Sequence, residues 1–182
     1  MGTINHIVRF DAAAARPRYE GEASGYSYFS FVDHTVGSVH IGKGVSILHF
    51  LGGQAIDLAG SRAISQTKMT ISQRGLVEGV LCDVVCTGRF YDLFEKRDGR
   101  WAIVERQPIY EKDRLDPLDP AQMPKFDKAV YESIPSGYRH LGYIQVKRGL
   151  PVKRTMPGLR GPEVEALYAK GKAWLAGAKP PQ

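Results

Sequence analysis

The chain has 182 residues, of which 43% are hydrophobic and 24% are charged, and its formal net charge is +6. This length and composition fit one globular domain with a single core. The sequence contains no run of eighteen apolar residues, which excludes a membrane-spanning helix. Asn5, His6 and Arg9 occupy the segment in which a signal peptide needs an apolar stretch. We therefore expect a cytoplasmic protein with no membrane partner.

The basic excess lies in the C-terminal third of the chain. Residues 121–182 contain 11 Lys and Arg against 4 Asp and Glu, and the rest of the chain is nearly balanced. The common nucleic-acid-binding motifs are absent from the sequence. We therefore expect no nucleic-acid partner, and we interpret the basic segment as a solvated or subunit-facing tail.

The N-terminal part shows one extended stretch, Ile4–Phe10, and an aromatic run, Tyr26–Val32. The periodicity does not decide whether the aromatic run is helix or strand. The next segments, 45–51 and 55–58, are apolar and extended, and Gly52-Gly53 between them indicates a bulge or bend.

Three further strands are predicted over Arg62–Gln73, Leu81–Glu95 and Trp101–Tyr110. Ala59-Gly60-Ser61 indicates the first turn, and Asp98-Gly99 supplies the positive φ angles of a tight hairpin. Long strands joined by short turns form an antiparallel meander with a buried face, so residues 45–113 predict a twisted sheet in an α+β domain.

Two cysteines, Cys82 and Cys86, lie four residues apart in one of these strands. Four strand residues span about 13 Å, which is too far for a disulfide or a shared metal. We expect both to be thiols of the core on one face of the sheet, and we expect no metal site.

The region after the sheet changes character at Asp116–Pro120, because proline cannot donate to a strand ladder. Residues 121–160 look mostly irregular, with short helical possibilities. A last helix is predicted at about 162–176, because Gly161 and Pro162 favour a start and Gly177 a stop. Its apolar stripe, which includes Val164, Leu167 and Trp174, must bury against the sheet or another subunit. A homo-oligomer is therefore expected.

Among the five histidines, only His49 lies inside a strongly apolar strand, between Leu48 and Phe50. A histidine at such a position is either a core residue with a satisfied hydrogen bond or a catalytic group. The position alone favours the core residue.

The Asp98-Gly99 hairpin gives a second candidate. If this pair is a two-residue loop, Tyr91 lies opposite Arg106. An arginine on an apolar curved surface needs an anion, a carboxylate or water. A salt bridge from Arg106 to Asp92, to Glu105 or to a carboxylate elsewhere in the chain is the structural alternative to a binding role.

The segments His49–Ala63 and Gly88–Arg106, the second with the hairpin Asp98-Gly-Arg-Trp101, resemble the SnoaL-like branch of the nuclear transport factor 2-like superfamily. That branch includes polyketide cyclases, scytalone dehydratase and hexachlorocyclohexane dehydrochlorinase. The resemblance covers roughly residues 20–115. It implies an α+β cone of curved antiparallel sheet with helical cover, a ligand pocket inside and a C-terminal helical tail. We expect a cone domain over 1–116 and an extension over 117–182 that packs on it or on a neighbouring subunit.

The resemblance also implies roles for site residues. His49 corresponds to the general base of the dehydratase and dehydrochlorinase, and Arg106 to an arginine that supports the leaving group, with Tyr91 and Asp92 as ligand-binding neighbours. The base in those enzymes pairs with an aspartate from an N-terminal helical segment. Asp11 and Asp33 are the only early aspartates, and neither lies in a matching motif. We therefore expect this domain to lack the N-terminal helices.

The function that this comparison implies is a cofactor-independent lyase, of the dehydratase or dehydrohalogenase type, or an isomerase or cyclase, acting on a small hydrophobic molecule by proton abstraction. Two alternatives stay open. The same cone can hold a hydrophobic ligand without catalysis, or it can serve as a structural subunit whose interior is filled with side chains.

Overall fold

The structure is a computed structural model that describes residues 7–11, 16–20 and 46–178, with side chains from 47 to 178. The aromatic run Tyr26–Val32 lies outside these residues, and so does most of the N-terminal part, which was expected to lack helices. No helix in the described part is long and apolar enough to cross a membrane.

In the described residues, six antiparallel strands form one sheet in the order β2-β1-β6-β5-β4-β3. The strands are β1 (Ile7–Asp11), β2 (Arg16–Glu20), β3 (Ser46–Ala59), β4 (Arg62–Val77), β5 (Val80–Arg97) and β6 (Arg100–Pro117). The predicted α+β architecture of a curved antiparallel sheet with helices is confirmed. Its four long strands, β3 to β6, extend further than the sequence pattern indicated.

Tight turns connect the four long strands. Asp98 and Gly99 have φ angles of 50° and 78°, as predicted for the β5–β6 hairpin, and Gly60 has a φ of 60° at the β3–β4 turn. The β4–β5 turn was not predicted from the sequence. There Glu78 and Gly79 have φ angles of 46° and 81°, so a non-glycine residue takes the first left-handed position.

Register shifts interrupt the long ladders at three places. The shift at Gly52-Gly53 in β3 agrees with the predicted bulge, and two more lie between Thr87/Gly88 and between Leu93/Phe94 along β5. Gly88 is required at the second shift, because a Cβ there would lie 2.1 Å from the Ile109 carbonyl oxygen. Such bulges bend and twist the strands that contain them.

The two faces of the sheet are covered by different helices. The helices are α1 (Lys128–Glu132), α2 (Arg139–Lys147) and α3 (Pro162–Leu175), with a 3₁₀ turn over Ser136–Tyr138. We call the face that carries Ile71, Cys86 and Asp92 the front face, and the face that carries Ile64 and Tyr91 the back face.

The part of the front face that is nearest the β4–β5 turn packs against α2 and the 3₁₀ turn. This cluster contains Met69, Ile71, Val77, Cys82, Val84, Cys86 and Tyr110 from the sheet, and Ile134, Tyr138, Leu141, Tyr143, Ile144 and Met156 from the segment that follows it. Cys82 and Cys86 are fully buried free thiols on this face, as expected. Burial raises the pKa of both thiols, so they remain protonated and act as apolar core groups.

The back face packs against α3, which confirms the predicted helix and its buried stripe. Val164, Leu167 and Trp174 are 2%, 6% and 1% exposed. The Trp174 indole donates to the Phe94 carbonyl at 3.1 Å, and the Arg62 guanidinium lies 3.9 Å from the centre of the indole ring. The apolar stripe therefore buries against the sheet of the same chain.

We predict that Trp174→Ala lowers the free energy of unfolding by about 3–5 kcal/mol, because the buried ring leaves a cavity. Trp101→Ala is the matched control, since Trp101 is 43% exposed, and it should cost about 1 kcal/mol or less. Urea unfolding followed by circular dichroism measures both. Equal losses in the two variants would contradict this account of α3.

Candidate functional site

An ion pair between Arg106 on β6 and Asp92 on β5 lies on the front face. The Arg106 Nε and Nη2 atoms donate to Asp92 Oδ1 and Oδ2, each at 2.8 Å. The Asp92 side chain is 1% exposed and that of Arg106 is 22% exposed. The guanidinium also lies 4.4 Å from the centre of the Phe90 ring. Of the alternatives left open for Arg106, the structure forms the salt bridge to Asp92.

The predicted pairing of Tyr91 with Arg106 is wrong. The Arg97–Arg100 pair is formed as the hairpin requires, but β6 has one extra residue where Leu93 pairs with Glu105 and Phe94 with Ile103. Beyond this bulge Arg106 lies opposite Asp92, and Tyr91 lies opposite Gln107. A one-residue change in register turns a side chain to the other face.

Tyr91 therefore projects from the back face, away from Arg106 and Asp92. Its ring centre lies 5.5 Å from that of Tyr168 on α3. Gly171 makes this packing possible, because a Cβ there would lie 1.9 Å from the Tyr91 hydroxyl oxygen. Burial, with smaller effects of Tyr168 and Asp57, raises the pKa of Tyr91 to about 12. A phenol that remains protonated in a helix interface is a packing group.

Polar neighbours extend the ion pair across the front face. Ser65 on β4 lies directly opposite Asp92, so Ser65, Asp92 and Arg106 form one row across three strands. Ser65 is 1% exposed, and its hydroxyl has no hydrogen-bond partner among the described residues. Two residues further along β4, the Thr67 hydroxyl accepts a hydrogen bond from the Gln54 side-chain amide at 2.9 Å. A buried hydroxyl without a partner costs free energy that a bound polar group would recover.

His49 lies on β3, and its register places it on the front face. It pairs with Ile71, and Ile71 pairs with Cys86. The same alternation places Ser65, Asp92 and Arg106 on this face, so His49 and Arg106 share it. Their rows are six residues apart along β5, and the bulges at Gly52-Gly53 and Gly88 lie between them.

The structure contains a hydrogen-bond network around His140 that was not predicted from the sequence. His140 Nδ1 lies 3.0 Å from Asp113 Oδ1, and His140 Nε2 lies 2.8 Å from the Tyr131 hydroxyl. Asp113 Oδ2 also accepts from the Leu141 amide at 2.9 Å. Asp113 is in the same cross-strand row as Cys86, so the network fixes α2 on the front face. Asp113 and His140 are 27 positions apart in the sequence, so no local pattern predicts this contact.

The described residues contain no group of three His, Cys, Asp or Glu side chains that could hold a metal ion. What the front face offers is general acid–base and electrostatic chemistry. A guanidinium fixed by a carboxylate can support negative charge, and a histidine on the same face can exchange a proton.

Comparison with known proteins gives a family match. The family model described as SnoaL-like domain matches residues 6–107, which include His49, Asp92 and Arg106.

Curated fungal proteins are similar over a longer stretch. A PEP2-like protein of Fusarium vanettenii is 36% identical over 153 residues, which cover 79% of this chain and 66% of that protein. Pea pathogenicity protein 2 of the same organism is 36% identical over 145 residues, 74% of this chain and 62% of that protein. An uncharacterized protein of Emericella nidulans is 35% identical over 150 residues, 74% of this chain and 63% of that protein. The chain thus spans less than two thirds of the length of these relatives.

We predict that Arg106→Met lowers the free energy of unfolding by about 3–5 kcal/mol, because it leaves the buried Asp92 carboxylate without its guanidinium. Adding Asp92→Leu to this variant should restore most of the loss. Arg74→Met is the control: Arg74 forms a similar two-point pair with Asp83, but the side chains are 53% and 31% exposed. That variant should lose about 1 kcal/mol or less. Urea titrations that give Arg106→Met and Arg74→Met the same loss would contradict the burial argument.

Proposed function

Because the chain belongs to the SnoaL-like domain family of the nuclear transport factor 2-like superfamily, we propose that it binds a small hydrophobic molecule on the front face of its sheet and acts on it as a cofactor-independent lyase or isomerase. Membership of the family supports small-molecule binding. The type of reaction is our proposal, and it rests on the side chains of this face.

The observation that carries the proposal is the buried ion pair beside an unpartnered hydroxyl. Asp92 fixes the orientation of the Arg106 guanidinium through two hydrogen bonds, while 22% of the arginine side chain remains exposed. Ser65 adds a buried hydroxyl in the same row. A ligand oxygen that approaches this row meets a fixed positive charge and a hydrogen-bonding group in a largely buried site, where such contacts are strong.

In the proposed reaction His49 removes a proton from a carbon atom next to an electron-withdrawing group. The electron pair of the broken C–H bond then forms the new double bond. In a lyase reaction the hydroxyl or halide on the neighbouring carbon departs with its bonding pair, and Arg106 stabilises the negative charge. In an isomerase reaction the proton returns at a different carbon. The support for this assignment is that the strand register places His49 and Arg106 on the same face of the sheet.

Ligand binding without chemistry is the alternative. It is favoured by the apolar side chains that β3 presents on the front face, where Leu51, Ile56 and Leu58 are 52%, 55% and 68% exposed. These side chains suit a hydrophobic ligand and supply no catalytic group. The name of one relative refers to pathogenicity and names no reaction.

We predict that the protein accelerates exchange of the α-protons of 2-tetralone, a ketone with acidic C–H bonds, for deuterium in D₂O. His49→Ala should reduce the enzyme-dependent rate by at least about 100-fold, since general bases contribute about 10²–10⁴-fold. The thermal midpoint should be nearly unchanged. His140→Ala is the matched control: it removes a histidine bonded to Asp113, so it should affect stability and leave exchange intact. Proton NMR follows the exchange. Binding of the ketone with no acceleration by the wild-type chain would favour the non-catalytic alternative.

We also propose that copies of the chain associate through β3, which is the edge strand among the strands that the structure describes. Leu48 and Phe50 on its back face are each 61% exposed, and long apolar edges commonly form contacts between chains. Sedimentation velocity should give a species larger than the 20.2 kDa monomer at micromolar concentration. Phe50→Lys should shift the protein toward the monomer. A wild-type monomer under these conditions would contradict the proposal.

A further inference from the structure

Away from the row of Arg106, a tyrosine, a histidine and an aspartate form a chain of hydrogen bonds. The Tyr131 hydroxyl lies 2.8 Å from His140 Nε2, and His140 Nδ1 lies 3.0 Å from Asp113 Oδ1. The three residues come from α1, α2 and β6, so the tertiary fold brings them together. A hydroxyl within hydrogen-bond reach of a base, which is itself oriented by a third group, is the arrangement of an activated nucleophile.

The Asp113 carboxylate determines which nitrogen of His140 carries the proton. An ionised carboxylate only accepts hydrogen bonds, so Nδ1, the nitrogen that faces it, is the donor. The second oxygen of Asp113 accepts from the Leu141 amide at 2.9 Å, which holds the carboxylate in place. The neutral ring of His140 is therefore oriented with the lone pair of Nε2 toward the Tyr131 hydroxyl, where it can accept the phenol proton.

The position of the Tyr131 ring is set by its packing. The ring centre lies 4.5 Å from that of Phe126 and 6.0 Å from that of Tyr143. The Arg139 guanidinium lies 5.4 Å from the same ring centre, and it is held there by a hydrogen bond to the Ile134 carbonyl at 2.9 Å. A fixed cation beside the ring stabilises negative charge that develops on the phenol during a reaction.

The network is covered at its carboxylate and more open at its other members. The side chain of Asp113 is 1% exposed and that of His140 is 22% exposed, and Tyr131 is half-buried. A reagent in solution can therefore approach the base and the phenol, while the group that orients the base stays out of water.

We propose that Tyr131 is a nucleophile that accepts an acyl group from an activated ester, with His140 as its general base and Asp113 as a positioning residue. The phenol oxygen attacks the carbonyl carbon of the ester, and the phenol proton passes to His140 Nε2. The bond from this carbon to the leaving-group oxygen then breaks, its electron pair stays on that oxygen, and the oxygen takes the proton from His140. The products are O-acyl-Tyr131 and the free alcohol.

This reaction does not depend on the proposed lyase or isomerase activity. Asp113 and His49 lie in one cross-strand row, but Ile71 and Cys86 stand between them. The product that is measured is an acyl group on α1, whereas the proposed activity of the front face is measured as proton exchange in a ligand.

The test is incubation of the full chain with p-nitrophenyl acetate at neutral pH, followed by mass spectrometry of its peptides. Tyr131 should be acetylated at least about 100-fold faster than N-acetyltyrosinamide in the same solution, because general bases contribute about 10²–10⁴-fold. Tyr143 and Tyr168 are internal controls. Their hydroxyls are hydrogen-bonded to Glu78 and Arg89 rather than to a histidine, so they should react no faster than the free amide.

Two variants test the roles of the base and of the positioning residue. His140→Gln keeps a polar group beside Tyr131 but cannot take up a proton, so acetylation of Tyr131 should fall to about the rate of the free amide. Asp113→Asn keeps an acceptor for the Leu141 amide but no longer fixes the imidazole tautomer. It should slow acetylation of Tyr131 at least about tenfold. A variant that had merely lost structure would instead expose buried tyrosines to acetylation.

Tyr131→Phe keeps the ring packing and should remove the rapid acetylation completely, and it decides the question if His140→Gln does not fold. The proposal is overturned if Tyr131 reacts no faster than N-acetyltyrosinamide, or if Tyr143 or Tyr168 reacts as fast as Tyr131. It is also overturned if the rapid acetylation persists in Tyr131→Phe, or if folded His140→Gln or Asp113→Asn reacts at the wild-type rate.

Discussion

The Asp92 carboxylate is buried within a sheet, and the Arg106 guanidinium neutralises it from the neighbouring strand. An unpaired carboxylate at this depth would be strongly destabilising, so the strand register must keep these two residues opposite each other. The extra residue of β6 near Leu93 and Phe94 achieves this. The same shift sends Tyr91 to the back face, where it meets α3. One bulge thus determines both the polar row of the front face and part of the apolar packing of the back face.

Different helices cover the two faces of the sheet. On the back face α3 is held by its apolar stripe and by polar contacts to the sheet, for example from Lys170 to the Glu105 carboxylate at 2.6 and 2.7 Å. On the front face α2 covers the rows from Met69 to Val77. The row of Ser65, Asp92 and Arg106 lies beyond this cluster. The buried polar groups proposed to meet a ligand are therefore separated along the strands from the packed core under α2.

Sequence patterns predicted the elements that local rules specify. The Asp98-Gly99 turn, the Gly52-Gly53 bulge and the limits of α3 follow from positive φ angles, glycine placement and helical periodicity. The bulge near Leu93 has no such marker, since neither strand has a glycine or proline at that point. A prediction of register from the turn alone therefore failed for Arg106.

The helix α2 escaped prediction for a different reason. Its residues Leu141 to Gln145 are all buried, because the sheet lies on one side and the segment after α2 packs on another. With nine residues and a glycine at position 142, α2 is shorter than the stretch of about 11–18 residues over which helical periodicity is read. The contact of His140 with Asp113 depends on this packing and was hidden for the same reason.

The arrangement of polar groups on the front face bears on how such a sheet can gain or lose catalysis. The polar row and the Asp113–His140 network each use a buried carboxylate of the front face to orient a second group. Asp92 orients Arg106 of the adjacent strand, and Asp113 orients His140 of a helix that follows the sheet. In each case the carboxylate is 1% exposed and the partner 22% exposed. The buried member sets the orientation, and the partly exposed member meets solvent or ligand. Because the sheet supplies the buried carboxylate in both cases, a change in the residue opposite it alters the chemistry of the face without altering the fold.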